Sequence, residues 1–594
     1  MKPSHDRRLR ARRALPVIVL AAVAFLVGAV VGSGHGSSPR LGLAEAFARA
    51  WTHGDYATMY EDIDTAAQRR APASTFAGAY RAAARTATET SLTIAGAAHE
   101  GAHGTISVPM RVDTRIWGTL SESLLMKVQD EPNGPRVIWS HSLLFPGLLA
   151  GESLSRRMTM PPRASLLARD GSTLAEGAAT AAGGRRSPLG SAAAGVVGEV
   201  GPTPNSSVSE LEAQGVPPEA IVGTSGLELA LDEQLRGTPG GELLAGVRVL
   251  ASAVPKPAPS VRTTISPALQ RVAAEALGGQ LGGVVAMDPA DGEVLAVAGL
   301  GIDDLQPPGS TFKMVTVTAA LEAKVASTKS VFPYATSATL DGVKLENANG
   351  EDCGGSLALA FAVSCNSVFA PLGVKVGAQR LVASAESFGF NHPPGLPGAV
   401  ESTLPPANQL QGELDVGSTS IGQSQVQASA LQMARVAATI GDGGRRPTPT
   451  FQALPPSEPV RTMSAATART VRSLMIGVVR EGTGTAAAIP GVVVAGKTGT
   501  AELGAPACPS KGERSSEAGG SQAEESSTGG EAEKQSEESC STGSDDPQNT
   551  DAWFAAFAPA IHPKIAVGVL LVKDGAGGET AAPVAKQVLE AGLR

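Results

Sequence analysis

At 594 residues the chain is longer than one hydrophobic core supports, so two to four domains are expected. The net charge is −8, with 18% charged and 4% aromatic residues. That balance excludes the basic surface and stacking platforms used by nucleic-acid binders.

The N-terminus points to a membrane. Arg7, Arg8, Arg10, Arg12 and Arg13 precede an uncharged run, Ala14 to Val31, that is about long enough for one span. The arginines keep a short tail (1–13) in the cytoplasm, make 14–32 a transmembrane signal anchor, and send everything after about Gly36 across. The run is long for the apolar region of a cleaved signal peptide, and no A-x-A site follows it.

From 41 to 147 the pattern changes from helix to strand. Leu43, Ala44, Phe47, Ala48 and Trp51 recur at helical spacing, and Ser91–Ile94, Thr105–Val112 and Val137–Leu144 read as strands. This α+β pattern resembles the NTF2-like N-terminal domain of methicillin-resistance-type penicillin-binding proteins. Residues 148–260 look irregular, and contain Arg163 to Gly171, Gly226-Leu227-Glu228 and Arg236-Gly237-Thr238-Pro239-Gly240. They resemble the pedestal or dimerisation domain of class B penicillin-binding proteins, although the opening motif R-G-x-I-x-D-R-x-G is degenerate.

A catalytic domain is expected over 261–594. Pro267–Leu277 reads as a helix. Gly283–Asp288 and Glu293–Ala298 flank an Asp-Gly turn, Val492–Lys497 makes a third strand, Ala552–Phe557 and Ile565–Val572 a hairpin, and Ala582–Leu593 a closing helix. Five strands with most of the sequence between the second and third give an antiparallel sheet with a large helical insertion. Residues 503–550 carry ten Asp/Glu against three Lys/Arg and almost no large apolar side chain, so this acidic insert is expected to stay disordered.

Four cysteines suit an extracytoplasmic location. Of three possible pairings, proximity favours Cys353 with Cys365 and Cys508 with Cys540. A metal site is not expected, because neither C-x-x-C nor a neighbouring His occurs.

Three short motifs carry the chemistry. In Pro307-Pro308-Gly309-Ser310-Thr311-Phe312-Lys313, Ser310 and Lys313 lie at i, i+3, on one helix face. A Ser hydroxyl needs a base, and Lys313 serves only if burial or a second cation lowers its pKa. Lys497 is the candidate second cation. Ser364-Cys365-Asn366 follows, with Ser364 and Asn366 pointing one way and Cys365 the other. Then come Lys497-Thr498-Gly499-Thr500, continued by Ala501-Glu502. Alternation puts Lys497 and Gly499 on one face of the strand, and Thr498 and Thr500 on the other.

S-x-x-K, S-x-N and K-T-G stand in this order, 54 and about 130 residues apart, and form the signature of serine acyltransferases that react with β-lactams. Glu481 to Ala486, Ile421-Gly422-Gln423-Ser424 (Ser424 in place of a second Gly), Leu431 to Ala434 and Asp551 to Phe554 resemble further segments of class B penicillin-binding proteins. The resemblance implies the penicillin-recognising transpeptidase fold, with Ser310 as nucleophile, Lys313 as base and Ser364 as proton relay. Asn366, Lys497, Thr498, Gly499 and Thr500 would bind substrate, and the N–H groups of Ser310 and Thr500 would form an oxyanion hole.

It also implies a D,D-transpeptidase, needing no cofactor, that joins peptidoglycan stem peptides (a D-Ala-D-Ala donor and an amine acceptor) and is trapped by β-lactams. No glycosyltransferase-like segment precedes 261, so a separate polymerase partner is expected. Rival readings are a D,D-carboxypeptidase or β-lactamase-like hydrolase, and a β-lactam-binding scaffold with dispensable catalysis. Gly482 to Ala487 mimics a dinucleotide loop without a βαβ unit, and G-x-S-x-G is absent.

Overall fold

A computed structural model describes residues 38–178, 185–453, 459–503 and 549–594. The expected tail and anchor, most of the acidic insert, and Cys508 and Cys540 lie outside the described residues. Among those described, no helix is long and apolar enough to cross a membrane. The described chain divides into two compact units.

The first unit holds residues 38–161, 204–220 and 238–257. It opens on the helix Pro39–Thr52, which buries Ala44, Phe47, Ala48 and Trp51, as their spacing predicts. Two short helices, Tyr56–Asp62 and Thr65–Arg70, start on Asp55 and Asp64, whose carboxylates accept from Thr58 N–H and Ala67 N–H. The helix Ala73–Thr86 follows, and the helices share a core with a sheet in the order Glu89–Ile94, Thr105–Thr114, Gly118–Glu131, Gly134–Val137.

Two strand expectations need correction here. The segment Val137–Leu144 is mostly not a strand: Gly134–Val137 ends there, and a 3-10 turn occupies His141–Leu143. The longest strand, Gly118–Glu131, is hidden in the sequence because Leu124-Leu125-Met126 interrupts the alternation, and Leu125 faces out.

The second unit holds residues 162–178, 185–203, 221–237, 258–453, 459–503 and 549–594. Residues expected to form one pedestal domain are thus shared between the units. They are also less irregular than expected. The strands Leu154–Thr159, Gly240–Ala245 and Arg248–Ala253 make an antiparallel sheet in the first unit. In the second unit, Leu166–Leu167 pairs with Thr173–Ala175 and with Val261–Arg262. The degenerate motif still delivers its arginine: Arg163 is buried and donates to Glu228 and Asp232, while Arg185 and Arg236 complete the cluster.

The second unit is organised by a five-stranded antiparallel sheet. Its strands are β1 (Gly282–Met287), β2 (Val294–Gly299), β3 (Ala495–Glu502), β4 (Thr550–Ala558) and β5 (Ile565–Leu571). Their order across the sheet is β2-β1-β5-β4-β3, so β3 lies at one edge. The helices Pro267–Leu277 and Ala581–Gly592 share one apolar core with the sheet, and the helices between β2 and β3 fill another. The helix Ala430–Gly441 is buried along its whole length, and its central position against β5 fixes the sheet to the helical layer. Leu503 N–H donates to Asn549 O at 2.9 Å, so the chain leaves β3 and re-enters toward β4 at one point.

Candidate active site

Ser310 lies in a 3-10 turn, Gly309–Phe312, that runs directly into the helix Lys313–Glu322. Gly309 takes φ +50°, a conformation that glycine adopts without strain, and a Cβ there would lie 2.5 Å from Thr500 O. The turn therefore sits hard against β3. Gly499 serves the same approach from the other side, since a Cβ on it would lie 2.7 Å from Pro308 O. Protein backbone, not substrate alone, explains that glycine.

Lys313 is fully buried at the start of its helix. Its Nζ lies 2.9 Å from Ser310 Oγ, 2.6 Å from Ser364 O, 2.7 Å from Asn366 Oδ1 and 3.2 Å from Ser364 Oγ. Burial first, and the charge of Lys497 second, push the Lys313 ammonium well below its ordinary pKa. The first three neighbours can each take one N–H of an ammonium. In the neutral amine, which the lowered pKa favours, the Ser364 carbonyl and the Asn366 amide oxygen take the two N–H groups, and the lone pair is free for the Ser310 hydroxyl.

Ser364 takes φ +65° immediately before the helix Asn366–Val376. Its hydroxyl stands between two lysines, because Lys497 Nζ donates to Ser364 Oγ at 2.8 Å. Lys497 also donates to its neighbour Thr498 O at 3.0 Å and is fully buried, and burial pushes its pKa down to about 7. Phenylalanine rings lie near both ammonium groups, Phe369 at 5.8 Å from Lys313 Nζ and Phe361 at 5.6 Å from Lys497 Nζ. Among the described residues no carboxylate pairs with either lysine.

The three motifs therefore meet at Ser364 Oγ. Cys365, between Ser364 and Asn366, is bonded to Cys353, with Cα atoms 5.9 Å apart. On β3, Lys497 Nζ reaches Thr498 Oγ1 at 3.4 Å, Thr498 Oγ1 lies 2.6 Å from Thr483 Oγ1, and Thr500 Oγ1 accepts from Gly577 N–H at 3.4 Å. Strand β3 itself begins later than Val492 and runs through the whole K-T-G-T-A-E segment, pairing Lys497 with Ala555 and Thr500 with Ala552.

Asn366 departs from the expectation of a residue reserved for substrate. Its Oδ1 faces Lys313, and its Nδ2 donates to Glu346 O at 2.7 Å, so both ends of the amide are engaged inside the protein. Thr483 lies in the segment Glu481 to Ala486 that resembles the family, but the sequence reading gave it no role; in the structure its hydroxyl meets that of Thr498. A cavity of about 770 Å³ opens beside Asn366, lined by Pro307, Lys344, Glu346, Gln423, Ser424 and Glu502 among others.

Three family models match the chain: the penicillin binding protein transpeptidase domain over residues 282–523, the penicillin-binding protein dimerisation domain over 178–247, and the NTF2-like N-terminal transpeptidase domain over 41–152. The chain is 32% identical over 446 residues to the peptidoglycan D,D-transpeptidase PbpA of Mycolicibacterium smegmatis, covering 62% of this chain and 80% of that protein. It is 33% identical over 404 residues to PbpA of Mycobacterium tuberculosis, covering 56% and 72%.

Among solved structures, the penicillin G acyl-enzyme of penicillin-binding protein A from M. tuberculosis is 27% identical with a TM-score of 0.53, covering 73% of this chain and all (100%) of that one. The D,D-transpeptidase domain of a peptidoglycan glycosyltransferase from Eggerthella lenta is 29% identical with a TM-score of 0.54, covering 73% and 98%. The chain belongs to the class B penicillin-binding proteins.

Proposed function

We propose that this protein is a membrane-anchored, monofunctional peptidoglycan D,D-transpeptidase that works through an acyl-enzyme on Ser310. The observation that carries the reading is the placement of Ser310 Oγ 2.9 Å from the Nζ of a fully buried lysine, whose pKa burial and Lys497 push down and which also contacts Ser364 O and Asn366 Oδ1.

In this reading Lys313 takes the Ser310 proton as Oγ adds to the carbonyl of the penultimate D-Ala. The N–H groups of Ser310 and Thr500 receive the oxyanion. Collapse breaks the C–N bond. The proton now on Lys313 passes through Ser364 Oγ to the departing nitrogen, and D-Ala leaves. An acceptor amine then attacks the ester and gives its proton to Lys313. The new amide forms, and Ser310 recovers its hydrogen. Lys497 supports both halves: it holds the Ser364 hydroxyl, and its charge attracts the terminal carboxylate of the donor, with the Thr498 and Thr500 hydroxyls completing that anchor. Among the described residues no carboxylate pairs with Lys313 or Lys497, which suits a site whose anion arrives with the substrate. The NTF2-like domain over 41–147 and the pedestal over 148–260 would carry the catalytic domain, 261–594, outside the membrane, where a separate glycosyltransferase supplies glycan strands.

Incubation with a fluorescent penicillin, followed by peptide mapping, tests the acyl-enzyme. Label is expected on the peptide that contains Ser310, and none on the Ser310→Ala protein; undiminished labelling of Ser310→Ala rejects the reading. Mass spectrometry with defined muropeptides tests the acceptor. A cross-linked dimer supports transpeptidation, whereas loss of D-Ala without a dimer assigns the chain to the hydrolases.

A further inference from the structure

We infer that Asn347 is a positioning residue for the acylation step, acting on Lys313 through the loop Ser364–Asn366. The inference rests on the proposed role of Ser310 and Lys313.

Asn347 is far from the reactive atoms in sequence and was given no role by it. In the structure it is a buried amide, 4% exposed, with both N–H groups and one oxygen lone pair used. Its Oδ1 accepts from Ser367 N–H at 2.8 Å, and its Nδ2 donates to Ala335 O and Glu351 O, both at 2.7 Å. The first bond meets an N–H in the opening turn of the helix Asn366–Val376, where no helical carbonyl is available to it. The other two fasten the segment around Asn347 to the end of the strand Val331–Ala335 and to the chain just before Cys353.

One residue back, Glu346 O accepts from Asn366 Nδ2 at 2.7 Å. The pair Glu346–Asn347 therefore clasps the pair Asn366–Ser367 through two contacts in matching order, 346 with 366 and 347 with 367, both accepted by the first pair. One is made by the Asn347 side chain and the other by the Asn366 side chain. The second orients the Asn366 amide so that Oδ1 meets Lys313 Nζ at 2.7 Å. The bond between Cys353 and Cys365 closes the same loop from behind.

The chain of effects is short. Without the Asn347 amide, the backbone pairing of Glu346 with Ser337 and of Asn347 N–H with Thr336 O remains, but the three side-chain bonds that lock this segment against Ser367 are lost, and the Glu346 O–Asn366 contact can shift. That shift displaces one of the two acceptors that take the Lys313 N–H groups and free its lone pair for Ser310. A group that only stabilised the fold would change how much protein is folded. A group that aims a base changes the rate constant of the protein that is folded, because small misplacements of reacting groups cost large factors in rate.

Full-length protein and its Asn347→Ala and Asn347→Asp variants are titrated with fluorescent penicillin, giving both the fraction that labels and the first-order acylation constant at saturation. Asp keeps an acceptor for Ser367 N–H but cannot donate to the two carbonyls, so it is expected to keep part of the function. Expected is a constant lowered about ten- to a hundredfold in Asn347→Ala and less in Asn347→Asp, with the initial noncovalent affinity within about twofold of the parent. A parent-like constant in Asn347→Ala, whatever its labelled fraction, overturns the inference. If Asn347→Ala cannot be obtained folded, a parent-like constant in Asn347→Asp overturns it and a lowered one upholds it. A parent protein that does not label on Ser310 rejects the underlying mechanism instead, and is recognised before any variant is compared.

Discussion

Glu228 and Lys313 are both fully buried ionisable side chains in the second unit, and their surroundings are opposite. Around Glu228 each ionised side chain has an oppositely charged partner, three arginines sharing two carboxylates. Arg163 Nε donates at 2.7 Å and Arg185 Nε at 2.8 Å, while Asp232 takes the other end of Arg163 and a nitrogen of Arg236. Around Lys313 there is a second buried amine, Lys497, and no carboxylate pairs with either among the described residues. In the first cluster every ion is paired with one of opposite sign inside the chain, although one positive charge is in excess. The second is left with unbalanced positive charge, and burial there lowers pKa values instead of being offset by a partner. Buried charge that is paired within the chain holds structure together, whereas buried charge left unpaired marks the place where a ligand must supply the balance.

The comparison breaks first at Lys313. A guanidinium of the same charge remains protonated and cannot act as base, so Lys313→Arg is expected to lower the acylation constant by at least about a thousandfold. Retained acylation would mean that the cleft needs charge and not a neutral amine. Next comes Glu228→Ala, which leaves Arg163 and Arg185 buried without that carboxylate. A loss of about 3–5 kcal/mol in chemical denaturation is expected, with an unchanged acylation constant in the remaining folded protein. A small loss would show that this pairing does not hold the structure together.

Lys497→Met should have the opposite sign. Removing an unbalanced buried cation is expected to raise stability by about 1–3 kcal/mol near neutral pH, while labelling by carboxylate-bearing β-lactams falls. A less stable Lys497→Met protein would mean that the bonds to Ser364 and Thr498 outweigh the desolvation. The pH dependence carries the same sign. The Lys497 pKa is lowered to about 7 in the folded protein from an ordinary value near 10.5, so between these limits the unfolded chain binds more protons than the folded one. The parent should therefore gain stability as pH rises from 7 towards 10, by at most about 1.4 kcal/mol per pH unit from this group, and Lys497→Met should lack that share of the gain.

The smallest effect concerns the rim of the cleft. Ser424 takes φ +64° where the family pattern has glycine. Ser424→Gly should stabilise the protein by about 1 kcal/mol or less, read as a modest rise in Tm. A fall in Tm would show that the serine hydroxyl outweighs the strain.

Much of this site could be read before its geometry was known. S-x-x-K and K-T-G are fixed by reaction chemistry at short range, and the three motifs do meet at Ser364 Oγ. What escaped the sequence is held by distant partners. The apolar run suggested a strand starting at Val492, yet β3 starts at Ala495 and runs to Glu502, where Thr483, Gly577 and β4 cover it. Arg163 looked like the remnant of a degraded motif, since its partners Glu228 and Asp232 come 65 and 69 residues later. Asn347 was silent because an asparagine in a loop is ordinarily a turn residue, and only the fold brings Ser367 to it.

The 2.9 Å bond from Leu503 N–H to Asn549 O brings together the two points between which residues 504–548 run. Its two ends stand side by side on neighbouring strands whose ladder closes beneath them, from Glu502 opposite Thr550 onward. Lengthening a chain that starts and finishes at one spot adds little closure entropy, about 0.6 kcal/mol for each doubling. Residues 504–548 can therefore be exchanged for an affinity handle or a fluorescent reporter with little effect on Tm or on the acylation constant. That makes this edge of the sheet the natural place to attach a probe to the working enzyme.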